Sequence, residues 1–178
     1  MPAEYENRPT AKNGFSVRHL VLDGFLLGVL FAAKWILEPI ANVELVTLLF
    51  ILYARHIGKR AYGIAVAFTA LECFEWGIHV WVIMYLYMWP LLITIVLLAK
   101  KERTHLFYCV LSALFGLFFG LLCSLPYLFI GGPSMAFTWW VAGIPFDILH
   151  CVSNFLLCLF LFNPIDQLLV RFENTLSA

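Results

Sequence analysis

An all-α integral membrane protein of six transmembrane helices is the fold class this sequence predicts, on three observations. Of its 178 residues, 63% are hydrophobic and only 12% charged, against about 25% charged in a soluble domain. The apolar residues come in long stretches, near the roughly 20 residues that a helical span needs. Ten of the eleven Lys and Arg residues lie between those stretches, in four places: Arg8, Lys12 and Arg18; Arg55, Lys59 and Arg60; Lys100, Lys101 and Arg103; and Arg171. Loops rich in Lys and Arg stay on the cytoplasmic side. Each pair of stretches therefore goes out and comes back, and both termini are expected in the cytoplasm. Lys34, inside the first stretch, is the exception.

The elements follow in order. The first span is expected over Val17 to Leu37, with Pro39-Ile40-Ala41-Asn42 as a short outer turn. A short second span starts near Val43 and ends at Tyr53. The third covers Ala61 to Gly77, and the fourth Val80 to Ala99 with Pro90 inside it. The fifth covers Leu106 to Ile130, with Pro126 near its outer end and Gly131-Gly132-Pro133 as the next outer turn. The sixth covers Ala136 to Phe162 with Pro145 inside it, and Asn163-Pro164 is expected to stop it. This gives a polar cytoplasmic tail over residues 1–14, a membrane domain over 15–165 and a cytoplasmic tail over 166–178. The first fourteen residues, MPAEYENRPTAKNG, have mixed charge and do not read as a signal peptide.

Composition excludes several classes. The formal net charge is zero, so nothing points to nucleic acid. Cys73, Cys109, Cys123, Cys151 and Cys158 lie in apolar segments without a disulfide or zinc spacing and read as small packing residues. No Walker motif is present.

The alternation of spans gives each polar residue a depth. Lys34, Glu38, Glu44, Glu72, Glu75, Trp76, His79, Trp81, Tyr85, Tyr87, Trp139, Trp140 and Asp147 all fall in the outer part of the membrane. Trp89, His150 and Asn154 fall near mid-depth. An ionisable group in hydrocarbon costs about 2.5–3.5 kcal/mol on insertion scales and normally faces protein or a wet cavity. One outward-facing polar pocket explains Lys34, Glu72, Glu75 and Asp147 together. Glu72, Glu75 and His79, spaced by three and four, are expected on one helical face.

Plainer readings stand beside this one. Lys34 can pair with Glu38 at i, i+4. Glu44 can cap the second span or sit in solvent. Asp147 and His150, three apart, can bond each other. Trp139 and Trp140 can form an interfacial belt, and Asn154 can bridge helices. Gly24, Gly28 and Ala32 recur every four residues and make a smooth stripe on the first span, of the kind that lets helices approach closely. Gly116 and Gly120 make a shorter pair on the fifth. Either set can serve internal packing.

Together these features resemble the substrate-binding (S) components of energy-coupling factor vitamin transporters. The stretches that carry the likeness are Asn42-Val43-Glu44-Leu45-Val46-Thr47-Leu48-Leu49, Tyr85-Leu86-Tyr87-Met88-Trp89-Pro90, and Gly143-Ile144-Pro145-Phe146-Asp147-Ile148-Leu149-His150 followed by Asn154-Phe155. The likeness covers residues 15 to 165. It implies a non-catalytic subunit in a prokaryotic cell membrane that captures a micronutrient from outside. Its implied partners are a membrane scaffold subunit and two ATPase subunits, with no cofactor or metal of its own. The matching docking positions are Gly24, Gly28 and Ala32, where glycine replaces some of the usual alanine. The implied pocket takes Trp81, Tyr85, Trp89, Asp147, His150 and Asn154, and Glu72, Glu75 and His79 on the third span join them. Aromatic faces and carboxylates suit a planar ligand with hydrogen-bond donors or positive charge, such as an amine-bearing heterocycle. A competing reading is an intramembrane metal carrier or enzyme using Glu72, Glu75, His79, Asp147 and His150. A third is a purely structural subunit.

Overall fold

The computed structural model describes residues 17–99 and 104–177. Most of the described residues are helical, and among them there is no strand. In chain order they form α1 (Val17–Leu37), α2 (Val46–Ile57), a 3-10 turn (Gly58–Arg60), α3 (Ala61–Trp76), α4 (Val80–Leu98), α5 (His105–Leu117), α6 (Phe119–Ser124), α7 (Tyr127–Ile130) and α8 (Gly132–Ser177). The expected tail over 1–14 and the basic cluster Lys100, Lys101 and Arg103 lie outside the described residues.

Four segments are long and apolar enough to cross a membrane: Val17–Leu37, Val80–Leu98, His105–Ile130 and Gly132–Phe172. The chain is a membrane protein on that ground. The other two expected spans form shorter helices. At 1.5 Å per residue, the 12 residues of α2 reach about 18 Å and the 16 of α3 about 24 Å, below the roughly 30 Å of a bilayer core. α2 instead makes the centre of the bundle. Every residue from Val46 to Ala54 is buried, and α1, α3, α4, α5 and α8 all pack on it. A helix apolar all round is stable only in such a place.

α1 lies on the outside. Its buried stripe is Leu22, Leu26 and Leu30, an i, i+4 series on one face. Tyr53 of α2 ties this stripe down by donating its hydroxyl to the Leu26 carbonyl at 2.9 Å.

The expected fifth span is one path broken into α5, α6 and α7. α5 ends at Leu117, and Phe118 leaves the helix before α6 begins. α5 and α8 make the most extensive helix pair in the molecule. Gly116 makes their approach possible, since a Cβ there would lie 2.9 Å from the backbone carbonyl of His150.

α8 differs most from expectation. Asn163-Pro164 does not stop it, and the helix runs 46 residues through Pro145 and Pro164. Proline removes one backbone donor and favours a kink, but contacts beyond it hold the continuation. Asp166 receives Arg55 at 3.2 Å and His56 at 2.8 Å, and Phe172 stacks on Phe25 of α1 with ring centroids 5.1 Å apart. At the same end Arg60 binds Asp23 through both Nε and Nη2, a bidentate geometry. These pairs mark a basic end of the bundle.

Candidate functional site

At the opposite end, α1, α3 and α4 hold a cluster of charges and rings. Lys34 is one of the last residues of α1, and its ammonium reaches across to α3, 3.1 Å from Glu72 Oε1 and 3.3 Å from Glu75 Oε2. It also lies over the Trp76 ring, 5.4 Å from the centroid, a cation–π position. Lys34 is thus committed to α3, not to Glu38 just past the end of α1. The Glu72 side chain is 0% exposed, against 19% for Glu75. Lys34 is the partner of Glu72, at Oε1, and the buried Oε2 has no donor. Buried acceptors in native structures nearly always have one.

α4 supplies the wall facing Glu72. Trp81, Tyr85 and Trp89 recur every four residues on one face. Their rings form a continuous row, with centroids 5.6 Å apart for Trp81–Tyr85 and 5.3 Å for Tyr85–Trp89. Phe68, one turn before Glu72 on α3, stacks on Tyr85 at 5.9 Å. Phe50 of α2 stacks on Trp89 at 5.0 Å and closes the floor. Trp89 is buried, and its indole Nε1 has no acceptor. The row therefore ends at an N–H lacking an acceptor.

A second polar group lies beyond Trp89. Phe119 touches Trp89 at 6.3 Å and meets His150 of α8 edge-on at 4.8 Å. His150 Nε2 donates to Glu44 Oε1 at 3.1 Å. Glu44 Oε2 also accepts from the Thr47 N–H at 2.8 Å, satisfying one of the free donors at the start of α2. Ser153 donates its hydroxyl to the Asn42 carbonyl at 2.6 Å. These bonds fasten the loop between α1 and α2 onto α8, and Asn42 turns that loop with a φ of 59°, a region asparagine tolerates better than most residues. One turn earlier on α8, Asp147 accepts from the Gly120 N–H at 2.9 Å. The break at Phe118 frees that N–H. Oδ2 of Asp147 is buried and unpartnered. A cleft of about 370 Å³ opens here, lined by Asn42, Phe119, Gly120, Trp139, Phe146 and Asp147 among others.

The expected site residues thus fall into place unevenly. Glu72 and Glu75 join Lys34; Trp81, Tyr85 and Trp89 form one row; and His150 meets it through Phe119. Of the four residues expected around one cavity, the cleft at Asp147 is lined by Asp147, while Lys34, Glu72 and Glu75 meet one another. Asp147 and His150 bond different partners, not each other. His79 does not share a helical face with Glu72 and Glu75, because Gly77, at a φ of 80°, ends α3 first. His79 is exposed and stacks parallel to Trp81 at 6.5 Å. Asn154 donates to the Ser112 carbonyl at 3.4 Å and bridges α8 to α5. The five residues weighed as a metal set therefore stand in separate contacts, and Lys34 supplies the cation that Glu72 and Glu75 share. Glu44 caps α2, as one sequence reading has it; Phe119 was not expected here, and Gly120 reads in the sequence only as half of a small-residue pair. The bond between Glu44 and His150 had no signal in the sequence, because the two lie 106 positions apart.

Gly24, Gly28 and Ala32 lie on the opposite side of α1 from its buried leucines. A Cβ at Gly24 or Gly28 would meet nothing within 4 Å. With Phe31, Trp35 and Leu71 they line an open groove on the outside of the bundle. Comparison of the chain with models of protein families, with curated proteins and with solved structures finds no match.

Proposed function

We propose that this chain is the substrate-binding subunit of an energy-coupling factor importer, with six membrane segments and cytoplasmic termini. On this reading α1, α2, α3, α4, the broken α5–α7 path and α8 are the six segments, and the basic end faces the cytoplasm of a prokaryotic cell. The Lys34–Glu72–Glu75 end then faces outside and receives a small micronutrient with hydrogen-bond donors or positive charge. Transport runs with a membrane scaffold subunit and two ATPases, and the chain itself catalyses nothing. The observation that carries this reading is the buried Glu72 carboxylate, paired with Lys34, beside the Trp81–Tyr85–Trp89 row. Aromatic faces bind a planar or cationic ligand, and a carboxylate gains charge-assisted hydrogen bonds from its donors. The open glycine stripe on the outer face of α1 supports the docking part, because a smooth face suits close approach by another membrane helix.

Mass spectrometry of small molecules carried through purification identifies the ligand, and calorimetric titration then measures it. Glu72→Gln or Glu75→Gln is expected to weaken binding about tenfold or more, the scale of one hydrogen bond to a charged group, with the fold retained. Unchanged affinity in both variants removes α3 from the site. Gly28→Leu is expected to leave binding intact and abolish cellular uptake. Uptake at the parent rate would remove the stripe from docking.

A further inference from the structure

At the basic end, three metal-ligand side chains converge that the proposed function does not use. His105 and Cys109 are one turn apart on α5, and Cys158 faces them from α8. One ring nitrogen of His105 and the two sulfurs all lie within 4.8 Å of one another. Both cysteines are fully buried, and His105 is partly exposed. Among the described residues this is the one such group of three or more His, Cys, Asp or Glu side chains. The sequence spacing hides it, because 49 residues separate Cys158 from Cys109 in the chain.

We infer that His105, Cys109 and Cys158 bind a thiophilic d10 cation, Zn2+ or Cu+, where α5 meets α8. Two sulfurs and one imidazole are the donor set such ions take. The imidazole is tethered by one hydrogen bond. His105 Nε2 lies 3.0 Å from the Cys158 carbonyl, and a carbonyl only accepts, so Nε2 carries the proton and Nδ1 keeps the lone pair. Metal-bound histidines almost always hold their second ring nitrogen in this way. The His105 ring also stacks on Phe162 at 5.1 Å, which in turn stacks on Tyr108 at 5.1 Å. Rigid neighbours of this kind hold ligands in register. The exposed edge of His105 gives the ion a way in.

Binding is an acid–base exchange without redox change. Each thiol loses its proton to solvent as its sulfur takes up the metal, so two protons leave per ion. Two thiolates neutralise Zn2+, which suits a site with little water, and a fourth zinc position remains for solvent or a further donor. The ion would clamp α5 to α8 at the end opposite the Gly116 contact with His150.

The test uses the full chain, purified reduced in detergent and analysed for bound metal. One Zn2+ or Cu+ per chain is expected, falling to background in Cys109→Ser, Cys158→Ser and His105→Ala and unchanged in Cys73→Ser. Competition with a zinc chelator and with a copper(I) chelator tells the two ions apart. Zinc affinity should rise with pH by about hundredfold per unit while both thiols are protonated, as loss of two protons requires. Should the variants fold poorly, Co2+ added to the parent protein gives a second reading, since a thiolate-to-cobalt charge-transfer band appears only if sulfur binds the metal. Absence of that band in the reduced parent protein overturns the proposal. So does a Cys109–Cys158 disulfide in protein purified without reductant and lacking metal, or metal content unaffected by the three variants.

Discussion

Lys34 decides the character of the candidate site, because among the described residues it is the cation set against both Glu72 and Glu75. Removing one partner of a buried ion pair leaves the other charge unpaired, which costs about 3–5 kcal/mol. Lys34→Met should therefore lower the thermal midpoint in detergent well below that of Glu75→Gln, since Glu75 is partly exposed and Glu72 is not. Adding Glu72→Gln to Lys34→Met removes the orphaned charge and should recover part of the loss. If the double variant melts at or below Lys34→Met, the Lys34–Glu72 contact carries no coupling, and Glu72 is held by other groups. Sequence gave the residues but not their partners. Lys34 had an eligible mate four residues away in Glu38, and helical spacing could not tell that mate from Glu72 and Glu75, which only the packing of α1 on α3 brings near.

Single helices answer to their glycines, and the two glycine pairs behave oppositely. On α5 and α6, Gly116 meets the His150 backbone and Gly120 meets the Asp147 carboxylate, so a methyl group at either has no room. Backbone cannot swing aside as a side chain can, so Gly116→Ala must push α5 and α8 apart. On α1 the space beside Gly24 and Gly28 is open, and alanine there gains helix propensity of about 1 kcal/mol. Gly116→Ala is expected to lower the thermal midpoint and Gly28→Ala to hold or raise it. Equal loss in both would mean that the α1 stripe is packed inside the protein. Both pairs have the same four-residue spacing, which predicts a smooth face and not what covers it. The element ends divide in the same way. Gly77 and Gly131 act as stops, as their residue type predicts, whereas Pro164 does not, because Asp166 and Phe172 bind the helix beyond it.

The whole molecule is a bundle with unlike ends, and that polarity is what the sequence showed most plainly. Long apolar stretches and the places of Lys and Arg predicted a helical membrane protein. The depth of α2 at the centre was less legible, since the run from Val46 to Ala54, apolar but for Thr47, looks alike whether it faces lipid or protein. The asymmetry has a direct consequence for orientation. Arg55 and Arg60 are tied to Asp166 and Asp23 at one end, while the loop after α1 and the turn before α8 have exposed positions without Lys or Arg. Under the bias that keeps cationic loops inside, Lys59 should face the cytoplasm, and Ile40 and Ser134 should face out. All three are exposed, so cysteines there are reachable without disturbing the core. The background should carry Cys73→Ser and Cys151→Ser, the two cysteines that are not fully buried. An impermeant maleimide applied to whole cells should then label Ile40→Cys and Ser134→Cys, and label Lys59→Cys only after permeabilisation. The opposite pattern would turn the Glu72 end toward the cytoplasm and end the case for uptake from outside, while leaving the bundle and its buried charges as described.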